Sequence, residues 1–184
     1  MRCFFALDAG SEVLREIENI LDSLRKMGSG IKVVEGKNLH FTLKFLGEMN
    51  ESEVEAMITS LREVERVPAF TLELKGMGYF GQKDRIRNVW LDVGKGKEQI
   101  NELHEMIEKN TLGTNDTRFY PHLTLCRLKS QENAEKTLAF IHENECVKIG
   151  EMKAREIKLK RSVLTPDGPV YSDIKKFKLE EPNE

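Results

Sequence analysis

Cysteine is scarce in this 184-residue sequence: Cys3, Cys126 and Cys146 are the only three, and they follow no paired spacing. Without a CxxC or an even set, a disulfide scaffold and a Cys-built zinc site are both excluded, and reduced thiols fit a cytoplasmic protein. Long apolar runs are missing too. Nothing approaches the ~20 residues of a membrane span. The apolar opening Cys3–Leu7 is too short for a signal peptide and is cut by Asp8. An excess of one charge is also absent: 29 Lys+Arg face 31 Asp+Glu, for a net charge of −2. That balance argues against a protein that coats nucleic acid non-specifically, although a local basic cleft remains compatible with it. There is no GxGxxG, Walker, HExxH or Asp-rich motif, so no cofactor and no metal site are legible. Histidine is rare, with four residues in all.

What is present is enough hydrophobic sequence, 39%, for a real core. The length suits one compact domain or two small lobes sharing an interface. Arg2–Leu7 reads as a buried strand. Leu14, Ile17, Leu21 and Leu24 recur at helical spacing, which predicts an amphipathic helix from near Ser11 to near Gly28. Ile31–Val34 and Leu39–Leu46 read as strands. Asn50 with Glu53 resembles a capping box, so a second helix should run to about Glu65, ahead of Pro68. Phe70–Leu74 and Asn88–Val93 are expected strands, and Lys97–Asn110 a third helix with Gly113 beyond its end. His122–Leu128 is a strand and Gln131–Asn144 a fourth helix. Val147–Met152, Glu156–Leu164 and Val170–Leu179 close the chain as strands, with a turn at Thr165–Pro169 and a frayed acidic end at Glu180–Glu184. Helices mixed with hairpin-linked strands favour an α+β fold with antiparallel sheets.

One tetrapeptide pattern occurs twice. His40-Phe41-Thr42-Leu43 and His122-Leu123-Thr124-Leu125 are both His-apolar-Thr-apolar, each within an expected strand. Side chains in a strand alternate faces, so His and Thr share one face and the apolar pair faces the core. Each copy therefore presents an imidazole and a hydroxyl away from the core. His104 and His142 fall in expected helices among charged neighbours and read as surface residues.

The paired motifs resemble those of the 2H phosphoesterase superfamily, and within it the RNA 2′,3′-cyclic phosphodiesterases, also called 2′-5′ RNA ligases or LigT-like proteins. The resemblance covers essentially the whole chain. It rests on Arg2–Leu7, on Asn38–Gly47, on Arg118–Arg127 and on the tail from Ser162 to Tyr171. It implies one bilobal domain over residues 1–184, pseudo-twofold, with two antiparallel sheets facing a central cleft and helices outside. It also implies a metal-independent hydrolase without a cofactor. His40 would be the proton donor and His122 the proton acceptor, although the motifs themselves are nearly interchangeable. The partner would be RNA ending in a 2′,3′-cyclic phosphate, tRNA halves among the candidates. The product would be a 2′-phosphomonoester, and the reverse reaction with a 5′-hydroxyl end would make a 2′-5′ linkage. Nothing demands more than a monomer.

The chemistry suits the residues. Attack by water on a cyclic phosphodiester needs one proton removed and one supplied, and histidine can do either near neutrality. Thr42 and Thr124 are placed to donate hydrogen bonds to phosphate oxygens. The resemblance gives Arg127 a phosphate contact. Strict alternation puts Arg127 on the other face from His122 and Thr124, and a bulge, twist or strand end would be needed to turn it. Two basic stretches, Lys83/Arg85/Arg87 and Lys153/Arg155/Lys158/Lys160/Arg161, read either as RNA-backbone contacts or as solvated strand faces. Phe119, Tyr120 and Tyr171 are candidates for stacking on a base or for lining. The competing readings are a non-catalytic RNA-end binding module, a phosphodiesterase for a small cyclic nucleotide, and a metal-dependent hydrolase with an unseen third ligand.

Overall fold

The structure of the chain is a computed structural model, described here over residues 1–111, 118–166 and 168–181. Its elements in order are β1 (Arg2–Asp8), α1 (Ser11–Arg25), β2 (Ile31–Val33), β3 (His40–Glu48), α2 (Glu51–Ser60), β4 (Phe70–Gln82), β5 (Arg85–Val93), α3 (Lys97–Asn110), β6 (His122–Leu128), α4 (Ala134–Glu143), β7 (Lys148–Ala154), β8 (Glu156–Thr165) and β9 (Gly168–Lys178). The Gly113 stop and Asp167 of the expected turn lie outside the described residues, as does the end of the acidic tail. Glu180, expected to fray, is held instead: it bridges Pro68, donates its N–H to the Val67 carbonyl and accepts from the Ala69 N–H.

The fold is α+β. Every pairing between these strands is antiparallel, and the order β7-β4-β5-β6-β3-β1-β8-β9 divides into two four-stranded halves. They meet where β3 and β6 touch at a single pair, Phe41 opposite Leu123. These are the second residues of the two tetrapeptides, so a local pseudo-twofold axis passes between them. The two expected sheets are thus the two halves of one hydrogen-bonded array.

A one-pair seam would be weak by itself. The helices reinforce it by crossing over: α1, which follows β1 of the first half, packs on β7 and β6 of the second. In return α3, which follows β5, packs on β3. Phe41, Leu43, Leu123 and Leu125 are at most 1% exposed, so the inward faces of both motif strands are core. Each such side chain contributes about 1.5–3 kcal/mol by leaving water. The capping box predicted for α2 is present, with Asn50 Oδ1 accepting from the Glu53 N–H at 2.9 Å and Glu53 Oε2 from the Asn50 N–H at 2.8 Å.

Three expectations need correction. α2 stops at Ser60, and a 3-10 segment, Arg62–Arg66, carries the chain to Pro68. β4 runs well past Leu74, to Gln82, because its glycines make room rather than end the strand. A Cβ on Gly78 would run into the Trp90 ring on β5. His104 is buried, 6% exposed, stacks on Phe119 with centroids 3.8 Å apart, and donates from Nδ1 to the Leu43 carbonyl at 2.8 Å. It follows Leu103 and stands four residues after Ile100, which places it on the apolar stripe of α3.

Candidate active site

The seam sets the geometry of the site. His40 and His122 each precede one member of the Phe41–Leu123 pair, so both point to the face opposite the core. Adjacent Cα atoms are about 3.8 Å apart along the chain and paired ones about 4.5–5.5 Å across a ladder. The two histidine Cα atoms therefore lie within about 13 Å, a span that two imidazoles can close on one phosphate. Thr42 and Thr124, two residues on, share the same half-exposed face.

Each imidazole is held in the same way. His40 Nδ1 lies 2.7 Å from the carbonyl oxygen of Asn38, and His122 Nδ1 lies 2.7 Å from that of Tyr120. A carbonyl only accepts, so Nδ1 carries the hydrogen in both rings and Nε2 is left to exchange protons. Aromatic rings then wedge each imidazole. Phe4 and Tyr171 stand 5.2 and 5.4 Å from His40, the latter edge-on. Phe80 and Trp90 stand 4.8 and 6.2 Å from His122. Burial among these rings pushes both histidines below their ordinary value. The Asn38 carbonyl and Asp8 work against that at His40, while Lys160 and Arg127 add to it. At His122 the Tyr120 carbonyl and Asp92 oppose the burial.

Arg127 reaches the motif face through a bulge. β5 pairs Val89 with Cys126 but Trp90 with Thr124, so Leu125 is an extra residue in β6. Leu125 and Cys126 are both buried and Arg127 emerges exposed. Its charge lowers both His40 and Tyr171, so it lies near this side of the site. The same bulge occurs at Leu43 in β3, where Phe5 faces Lys44 and Ala6 faces Thr42. It brings out Phe45, the counterpart of Arg127, which is 69% exposed.

Other candidates are dispersed. Lys158 and Lys160 do not face solvent: their side chains are 14% and 8% exposed and bind Asp8 and Asp173. Among the stacking candidates Tyr171 is the one whose ring packs on a site histidine, and Tyr120 reaches His122 through its carbonyl. Phe119 packs on His104, and the Tyr120 hydroxyl donates to Asp92 at 2.7 Å. Phe4, Phe80 and Trp90 escape the sequence reading, as do Asp8 and Asp92. Their only signal is strand alternation beside the motif strands. Among the described residues no group of three or more His, Cys, Asp or Glu is placed to hold a metal ion, and no helix is long and apolar enough to cross a membrane.

The comparisons with known proteins mirror this duplication. The family described as LigT like Phosphoesterase matches residues 7–90 and again 91–171, one histidine motif in each stretch. The chain is 35% identical over 183 residues to the RNA 2′,3′-cyclic phosphodiesterase of Methanothermobacter thermautotrophicus, covering 97% of this chain and 99% of that one. A crystal structure of a Thermus thermophilus protein is similar over 100% of both chains, with a TM-score of 0.83 and 28% identity. That of E. coli LigT complexed with 3′-AMP is similar over 97% of this chain and 96% of that one, with a TM-score of 0.75 and 26% identity. With both halves of the sequence and the fold in agreement, the chain belongs to the LigT-like phosphoesterase family.

Proposed function

We propose that the protein opens 2′,3′-cyclic phosphates at RNA ends, with His40 and His122 as its acid–base pair. The observation that carries this reading is the pair of Nδ1-anchored imidazoles on one face, one residue from a shared strand contact. The name of the Methanothermobacter relative supports the substrate, and the 3′-AMP complex of E. coli LigT supports a nucleotide in the cleft.

In the proposed reaction the water oxygen attacks phosphorus and gives its proton to His122 Nε2. The bond from phosphorus to O3′ breaks, and His40 Nε2 supplies the proton to O3′. A 2′-phosphomonoester remains. Thr42, Thr124 and Arg127 donate hydrogen bonds to the non-bridging oxygens, where charge develops. Arg127 is suited to this because its fork of donors matches phosphate. Exposed Phe45 and edge-on Tyr171 flank the site as apolar surface for a base. The whole chain acts as one two-lobed unit, since each half supplies one histidine. The reaction uses no metal and no cofactor. With a 5′-hydroxyl RNA end in place of water, as in tRNA halves, that oxygen attacks phosphorus, the bond to O3′ breaks in the same way with the proton from His40, and a 2′-5′ linkage forms, whose cleavage is the reverse step. The enzyme works as a cytoplasmic monomer.

The test is incubation of an oligoribonucleotide ending in a 2′,3′-cyclic phosphate with the protein and excess chelator, followed by identification of the terminal phosphate. A 2′-phosphate is expected. Activity that is lost with chelator and restored by Zn²⁺ or Mn²⁺ would point to a metal-dependent hydrolase.

A further inference from the structure

The pseudo-twofold axis relates more than the two motifs. β1 pairs with β3 so that Asp8 is directly opposite His40, and β5 pairs with β6 so that Asp92 is directly opposite His122. Cross-strand partners carry their side chains on one face with Cβ atoms about 4.5–5.5 Å apart. Each half of the molecule therefore places one carboxylate beside its own imidazole.

The surroundings of the two carboxylates differ. Asp8 binds Lys158 at 2.7 Å and Lys160 at 3.0 Å, and Asp173 shares both lysines. Glu156 on β8 completes that cluster through Lys158. His40 also faces Arg127 from β6, and Tyr171 from β9 stands edge-on to it. Two cations thus sit on the one carboxylate beside His40, and a third lies close by. Asp92 meets a single lysine, Lys97 of α3, at 3.0 Å. Its other carboxylate oxygen accepts from the Tyr120 hydroxyl at 2.7 Å, and Lys97 also donates to that hydroxyl at 2.9 Å. The carbonyl of the same Tyr120 accepts from His122 Nδ1.

We propose that Asp8 and Asp92 are a matched pair of positioning residues that govern the charge state of the imidazoles opposite them, Asp92 acting on His122 more strongly than Asp8 acts on His40. Opposite charge nearby favours the protonated ring. At His40 that help is opposed by Lys160 and Arg127, and Asp8 is itself tied to Lys158 and Lys160. At His122 the cation paired with Asp92 among the described residues is Lys97, which is itself shared with a phenol. Asp92 also braces the tyrosine whose carbonyl fixes the His122 tautomer, in the way that outer partners of metal-bound histidines fix theirs. The pair is alike in geometry and unlike in charge, and that difference can give two equivalent histidines unequal proton affinities. The inference rests on the proposed acid–base reading for its catalytic meaning, but not for its measurement.

The experiment is NMR titration of the histidine ring protons in the full-length wild type and in the Asp92→Asn, Asp8→Asn and Lys97→Met variants. Peaks are assigned through His40→Ala and His122→Ala. Asp92→Asn should lower the His122 midpoint by about half a pH unit to one pH unit. Asp8→Asn should move His40 by less than half as much. Lys97→Met should raise the His122 midpoint, the opposite direction; a loss of structure at this corner would expose the ring and raise the midpoint too, so the downward shift of Asp92→Asn is the one that unfolding would not give. The proposal is overturned if Asp92→Asn leaves the His122 midpoint in place, if Lys97→Met moves it downward, or if Asp8→Asn produces the larger shift. Turnover of a cyclic-phosphate oligonucleotide is followed across pH in parallel. If wild type is inactive while the titration shifts appear, the proposed function fails and the electrostatic pairing stands. If wild type is active and the shifts are absent, the converse holds.

Discussion

Truncating either site histidine should remove turnover and leave the fold. General acid or base help is worth about 10²–10⁴-fold, or roughly 2.7–5.5 kcal/mol of barrier, so His40→Ala and His122→Ala should each lose that much. The structural cost should be small. His40 gives up one hydrogen bond to the Asn38 carbonyl and its contacts with Phe4 and Tyr171, about 1–2 kcal/mol together. Neither ring belongs to the buried core, so no closed cavity adds to the loss. If the two rings worked independently, the double variant would lose the product of the two factors, roughly 10⁴–10⁸. Groups acting as one catalytic unit are strongly non-additive, so the double variant should fall little below the worse single one. Wild type should show a bell-shaped pH profile whose two apparent constants belong to the pair. Thr42→Val and Thr124→Val should cost less than either histidine change, because proton transfer survives. The assay is single-turnover hydrolysis of a cyclic-phosphate oligonucleotide across pH, with urea melts of every variant. A single His→Ala variant that keeps near-wild-type turnover would refute the two-histidine mechanism.

Folding stability should also depend on pH through these rings. Burial lowers both histidines from 6.5, so the unfolded chain takes up protons first; stability is fully present above about pH 6.5 and declines below it until the folded values are passed. Urea midpoints should show this decline, and His122→Gln should lessen it. Gly78→Ala would drive a methyl into the Trp90 ring; overpacking of this kind costs about 1–3 kcal/mol, and both the melt and the His122 ring signals should move. Inorganic phosphate should raise the His40 titration midpoint in wild type but not in Arg127→Ala, whose midpoint should already be higher; a response that survives Arg127→Ala would contradict a phosphate contact by Arg127 near His40.

The motif strands were legible because their alternation is regular and one face is fully buried. β4 beyond Leu74 was not, because Gly76, Gly78 and Gly81 hide the alternation; only the position of Trp90 on the next strand explains Gly78. Arg127 was ambiguous for a similar reason. An extra residue at Leu125 is defined by the partner strand, and nothing in Leu125-Cys126-Arg127 announces it. Lys158 and Lys160 read as RNA contacts or solvated charges, because their carboxylate partner Asp8 is 150 positions from Lys158 in the chain. His104 was misplaced by helix phase alone. Local pattern thus gave most of the elements and the two His-apolar-Thr-apolar strands. What it could not give was whatever depends on the neighbouring strand: bulges, buried ion pairs and the carboxylates beside the imidazoles.

The duplication also bears on how a symmetric frame supports an unsymmetric reaction. In the proposed reaction one histidine holds a proton while the other lacks it, yet both have the same anchor, the same face and a carboxylate partner. The symmetry is broken around them. Past the bulge, β3 presents Phe45 where β6 presents Arg127, and Asp8 carries two lysines where Asp92 carries one. Without substrate, the cations near His40 disfavour its proton. A phosphodiester anion drawn to Arg127 would offset that cation and let His40 regain the proton it is proposed to donate. Donor competence at His40 would then accompany phosphate binding, and the His122 side, with Asp92 and a single lysine, would respond less. On this argument the fold supplies two histidines in equivalent settings, and in the proposed reaction the charges beyond the motifs would decide which one gives and which one takes.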